Sequence, residues 1–181
     1  MRLLFLLAFA AIPLGSSAIA TNAQDSTTTV WEAEFFPVSV TYDEQIWGNR
    51  STSSFDSNER FQIVARPTAF TMQLFDHDTF DGEACLVDYI ATISKLDGVS
   101  NFADAESLDL PTGLPDAAEA LVIYDFQWPG REETVAMVQH LSCLEIEPGR
   151  LMLIGIETRA GIYNEEIEII DGILAGVEIA S

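Results

Sequence analysis

The chain has 181 residues, 48% of them apolar, with 29 acidic residues against 8 basic ones and a net charge of −21. Its length and apolar content suit one domain with a sizeable core and argue against disorder. The charge repels nucleic-acid phosphates and anionic lipid headgroups, and it reads as a solubilising surface for a salty or acidic medium.

Residues 1–23 have the layout of a secretory leader. Arg2 precedes the apolar run LLFLLAFAAIPL, and small residues follow. Cleavage is expected after Ala20 or Ala23. The run falls short of the about 20 residues a spanning helix needs. No Cys follows it for lipid attachment, so no stable membrane anchor is expected. The leader holds one of the 8 bases and none of the 29 acids, so its removal makes the chain still more acidic. Residues 24–33 read as a polar, flexible leader to a single domain at 34–181.

Residues 34–42 (EFFPVSVTY) alternate as a strand, with Pro37 marking an edge or bulge. Residues 48–59 read as a polar excursion. Two strands, 60–65 and 69–75, flank a turn at Arg66-Pro67-Thr68. A helix is predicted over 82–96. Asp81 is its N-cap, Glu83 lies in its first turn and Lys95 in its last. Leu86, Tyr89, Ile90, Ile93 and Leu96 form its apolar stripe. Residues 97–117 read as irregular. Strands at 118–128, 133–146 and 150–158 form a meander, with Pro129-Gly130 and Pro148-Gly149 at its corners. A closing helix over 162–176 carries the stripe Tyr163, Ile167, Ile170, Leu174 and Val177, weakened by Gly172 and Gly176. Strands in runs with helices between them give an α+β class: an antiparallel sheet with a central three-stranded meander, covered by two main helices.

Cys85 and Cys143 are the two cysteines, and in an oxidising compartment they are expected to bridge. The bridge would tie the first helix to the middle strand of the meander, with Cα atoms within about 7 Å.

The densest polar cluster is 76–83, where Asp76, His77, Asp78 and Asp81 are the candidate cation ligands. The register departs from a calcium loop: counting from Asp76, the third Asp stands sixth, Gly82 seventh, and Val87 where a bidentate Glu belongs. A turn and helix cap is the favoured reading, a weak divalent-cation site the alternative. His77 and His140 are too few to build a zinc site without carboxylates. His140 falls on the strand face opposite Leu141 and Cys143 and is expected to be hydrogen-bonded or to face solvent. No Gly-x-Ser-x-Gly elbow and no Gly-rich phosphate loop occur. Among the tryptophans, Trp47 and Trp128 lie beside irregular or turn segments, where an indole packs a sheet end or lines a groove. Asn49-Arg50-Ser51 is a formal glycosylation sequon, relevant only in a eukaryotic secretory pathway.

Three segments together resemble the PsbP-like α/β/α sandwich: Val40-Thr41-Tyr42-Asp43 followed by Trp47, the long meander, and the terminal helix running into Ile173-Leu174-Ala175-Gly176-Val177-Glu178-Ile179. The likeness covers about 34–180. It implies the sandwich fold and carries no catalytic motif, because this superfamily is functionally mixed. The resulting expectation is a secreted or periplasm-equivalent, non-catalytic domain that binds a protein or small-molecule partner, without a cofactor. The alternatives are a secreted hydrolase using acidic residues and a calcium-binding surface protein.

Overall fold

The computed structural model describes residues 27–105 and 108–180. The proposed secretory leader lies outside them. The elements run β1 (Thr28–Glu32), β2 (Val38–Asp43), β3 (Gly48–Phe55), β4 (Asn58–Ala65), β5 (Thr68–Asp76), α1 (Gly82–Ile93), β6 (Val99–Asp104), β7 (Ala118–Gln127), β8 (Thr134–Glu147) and β9 (Arg150–Arg159). A 3-10 turn at Ala160–Ile162 leads into α2 (Tyr163–Leu174) and β10 (Val177–Ile179).

Seven strands form one antiparallel sheet in the order β3-β4-β5-β9-β8-β7-β6, and a second sheet has the order β1-β2-β10. The meander is β7-β8-β9, as its Pro-Gly corners require. Strand alternation divides the apolar residues between the two faces of the large sheet. Phe61, Ile63, Phe70, Met72, Leu74, Ile154 and Ile156 join one core with the small sheet and with Tyr163, Ile170, Ile173 and Leu174 of α2. Val122, Tyr124, Met137, Leu141, Cys143, Leu151 and Leu153 join the other core with Cys85, Leu86 and Ile93 of α1. The result is an α+β sandwich with helices on opposite faces.

α1 begins as its sequence predicts, with the Asp81 carboxylate accepting the Ala84 N–H at 2.8 Å. It ends at Ile93, and Ser94–Leu96 are turns. Its first residue presses on the sheet: a Cβ at Gly82 would come within 2.7 Å of the Cys143 carbonyl oxygen, so only glycine allows this approach. One turn on, Cys85 is disulfide-bonded to Cys143 of β8, with Cα atoms 6.3 Å apart. On the opposite face, Thr68 Oγ1 donates to Glu166 of α2 at 2.8 Å and lies 2.9 Å from Thr158 Oγ1, joining β5, β9 and α2.

Four of the corrections to the sequence reading concern strands. The segment read as a flexible leader at 24–33 contains β1, which pairs with β2 from Thr28 to Glu32 and stacks Trp31 on Phe61 with centroids 4.6 Å apart. The polar excursion at 48–59 is mostly β3, exposed at every position. It is an edge strand with solvent on both faces, so no apolar alternation marks it. Its turn uses Asp56 and Ser57 at φ 44° and 60°, a left-handed pair that Asn-Gly signals more strongly. Part of 97–117 is the edge strand β6, whose pairing with β7 shifts register between Ser100 and Ala103. The strand at 34–42 begins only at Val38, after a bend closed by the Ala33 N–H donating to the Val38 carbonyl at 2.9 Å.

The cross-link closes a loop of 58 residues in sequence separation. Chain-entropy arguments give it about 4 kcal/mol of stability. Reduction, or replacement of both Cys85 and Cys143 by Ala, is expected to lower the melting temperature by about 10 °C. Thermal denaturation with and without reductant checks this, and superimposable curves would count against the bridge as a stabilising element.

Candidate functional site

α1 packs across β7, β8 and β9. The same face of β3, β4 and β5 lies beside the helix, and a groove of about 520 Å³ runs along the junction. That volume falls within the range typical of small-molecule sites.

The groove takes residues from four strands. β3 supplies Ser53 and Phe55, β4 supplies residues 58–60, β5 supplies residues 73–75, and β9 supplies Leu153. Register places Ser53 opposite Arg60 and Arg60 opposite Gln73, so these three form one row across the sheet. The facing wall is α1, with Cys85, Asp88 and Tyr89. Phe55 stands at the rim with 76% of its surface exposed, an unusual position for a large aromatic on a strand that is otherwise polar.

The end wall is His77 and Phe80, from the segment that the sequence offered as cation ligands. His77 Nδ1 accepts the N–H groups of Thr79 and Phe80 at 3.3 and 3.1 Å, and its ring stacks on Phe80 with centroids 3.8 Å apart. The His77 N–H donates to the Gly149 carbonyl at 2.8 Å, which anchors this loop to the β8–β9 turn. Asp76 lies 3.4 Å from Arg150, and Asp81 is occupied in capping α1. Asp76, His77, Asp78 and Asp81 therefore do not converge. Among the described residues no group of three His, Cys, Asp or Glu side chains is arranged to hold a metal ion.

Past Tyr89 the surface continues into a smaller hollow of about 220 Å³, with Leu96, Tyr124, Trp128, Gln139 and Glu157 in its walls. The Tyr124 hydroxyl donates to Glu157 at 2.7 Å. Trp128 packs edge-on against Phe126, whereas Trp47 is buried in the core against Phe70. Burial pushes the Tyr89 phenol up, opposed by Gln139 and by the positive charge of Arg60. Tyr124 is pushed up strongly, by burial first and by the Glu157 carboxylate beside it. Beside the larger groove the Glu59 carboxylate is buried and accepts the N–H groups of Glu34 and Phe35 at 2.8 and 2.5 Å, so Asp88 is the carboxylate on the groove wall.

His140 lies on the other face of the sheet, opposite in direction to Leu141 and Cys143. It is neither solvent-facing nor hydrogen-bonded: it is fully buried, and neither ring nitrogen has a partner. Glu119 Oε1 is 3.4 Å from Nε2, too long for a well-made bond, and accepts the Ser142 hydroxyl at 3.1 Å instead. Burial holds the imidazole below its usual pKa, with the charges of Glu119 and Asp171 opposing. A buried neutral ring whose neighbouring serine donates elsewhere does not form a nucleophile–base pair.

No protein-family model matches the chain. No curated protein matches its sequence. Solved structures do match in shape. The solution structure of cyanobacterial PsbP (CyanoP) from Synechocystis sp. PCC 6803 aligns with a TM-score of 0.50 at 9% identity, covering 93% of this chain and 99% of that one. The fold is PsbP-like. A crystal structure from Bacteroides thetaiotaomicron aligns at 13% identity and TM-score 0.48 over 86% of this chain and 49% of that one, so this chain spans about half its length. LpqN of Mycobacterium tuberculosis, described as involved in cell envelope biogenesis, aligns at 9% identity and TM-score 0.40 over 88% of each chain. At such identities the PsbP-like likeness describes the fold and transfers no site residue.

The buried ionisable groups give a pH signature. His140 has a lowered folded pKa, so the unfolded chain binds the proton first as pH falls. Its neutral burial costs nothing in linkage above about pH 6.5, and stability drops below that value, by at most about 1.4 kcal/mol per pH unit. Tyr89, Tyr124 and Tyr163 are raised, Tyr163 to about 12 by burial and then by Asp171 and Asp109. Their stability is present below about pH 10 and is lost as pH rises further. Urea midpoints from pH 5 to 11 should fall at both ends, and His140→Leu should flatten the acid limb between pH 6.5 and 5. An unchanged acid limb in that variant would show that other groups set it.

Proposed function

We propose that this chain is an exported PsbP-like domain that binds a small, largely apolar ligand in the groove between α1 and β3–β5. The observation carrying this reading is the groove itself: about 520 Å³ on the side of a helix, with Phe55, Phe75, Phe80 and Leu153 beside Ser53, Asn58, Arg60, Gln73, His77 and Asp88. Apolar walls with polar groups set among them suit a small molecule that has an apolar body and a polar end. Export is supported by the leader-like residues 1–23 and by the disulfide, since such bridges persist in oxidising compartments. Among the described residues no helix is long and apolar enough to cross a membrane.

The test uses the neutral fluorescent probe N-phenyl-1-naphthylamine. Ser53→Trp places bulk in the groove from an exposed edge-strand position and should leave the circular dichroism spectrum and melting temperature intact. The parent should bind the probe with a fluorescence increase, and the variant should bind more than tenfold more weakly. Equal binding by both would move the site elsewhere.

A further inference from the structure

Building on that reading, we infer that the groove is selective for an amphipathic organic anion: an apolar body on the aromatic end and a single acidic headgroup on Arg60. Bases are scarce in this chain, 8 against 29 acids. Among the described residues Arg150 is the one arginine with a carboxylate oxygen within 4.0 Å: it pairs with Glu147 and Asp76, donates to the Phe35 carbonyl and lies over the Phe36 ring. Arg50, Arg60, Arg66, Arg131 and Arg159 have no such partner, and of these Arg60 is the one that lines the groove.

The cause is the strand register. Both cross-strand neighbours of Arg60, Ser53 and Gln73, are neutral. Its chain neighbour Glu59 points to the opposite face and is buried against the Glu34 and Phe35 amides. Asp88 stands on the facing helix wall, outside ion-pair distance. Arg60 and the Tyr89 phenol of α1 line the same groove. His77, the other nitrogen base of the lining, is engaged within its own loop, where Nδ1 accepts the Thr79 and Phe80 N–H groups.

A guanidinium presents a fork of donors to a carboxylate or sulfonate, and the contact is charge-assisted. The apolar body then lies along Phe75 and Phe80, under the exposed ring of Phe55. The occupant is a free small molecule and not a membrane headgroup, because a net charge of −21 is repelled by the many charges of an anionic bilayer far more than by one small anion seated on a guanidinium.

Two probes of similar aromatic body separate this inference from the groove reading. 1-Anilinonaphthalene-8-sulfonate carries one negative charge, and N-phenyl-1-naphthylamine carries none. Arg60→Gln should weaken the sulfonate about tenfold or more and change the neutral probe less than twofold. Arg60→Lys should recover part of the loss. Arg50→Gln removes the same charge from an exposed β3 position that does not line the groove, and should change both probes less than twofold. Equal effects of Arg60→Gln and Arg50→Gln on the sulfonate would overturn the inference while leaving the groove reading intact. Failure of the parent to bind either probe would overturn both. Arg60-dependent adsorption to phosphatidylglycerol vesicles would overturn the assignment to a free ligand.

Discussion

The fixed position of α1 on the sheet governs the rest of the molecule. Gly82 rests on the Cys143 carbonyl, and Cys85 is covalently joined to the same residue, so the start of the helix is held to β8 twice within one turn. A helix of 12 residues is about 18 Å long and about 10 Å wide with its side chains. Seven strands at about 4.8 Å spacing span nearly 30 Å. One such helix cannot cover that sheet, and its attachment at β8 determines which strands stay open. Those strands are β3, β4 and β5, and the groove is the step between covered and uncovered sheet.

The opposite face is organised differently. There α2 and the small sheet share the work of covering, and the core they enclose is larger and more aromatic. The chain returns at the end of α2 to seal it. The Thr41 N–H donates to the Gly176 carbonyl at 2.8 Å, and a Cβ at Gly176 would collide with the Thr41 carbonyl. His140 is the polar exception within this face. An unpartnered buried nitrogen costs about 1–3 kcal/mol, tolerable only while the ring stays neutral, so this layer is sensitive to acid and the groove layer is not built around the same group.

How much of this was legible in the sequence depended on burial. The meander could be read because Pro-Gly pairs mark both corners and its strands are strongly apolar. The start of α1 could be read because Asp81 is a good cap and Leu86 and Ile93 fall on one stripe. The disulfide followed from having two cysteines, and its partner elements from their positions. β3 and β6 escaped because strands exposed on both faces have no reason to alternate, and Ser-Thr runs look the same in a loop as on an edge; β1 escaped because its half-buried positions are Thr29 and Trp31, of which one alone is apolar. The burial of His140 was missed for a related reason: its strand face was read correctly, but nothing local announces that α2 and the chain around Glu119 close over it.

The groove itself was the least legible feature. Its lining comes from β3, β4, β5, β9, the 76–81 loop and α1, with no spacing to betray it, and Arg60 is one base in a strand. The one segment the sequence did single out, Asp76 to Asp81, is at the site in another role, as a wall built by the ring of His77 on Phe80. The claim that the uncovered half of the sheet beside α1 is the binding surface is tested most directly by amide NMR of the isotope-labelled protein during titration with N-phenyl-1-naphthylamine. The account predicts shifts concentrated at Ser53, Phe55, Arg60, Gln73, Phe80 and Tyr89. Shifts centred on α2 and the small sheet, or none at saturating probe, would contradict it.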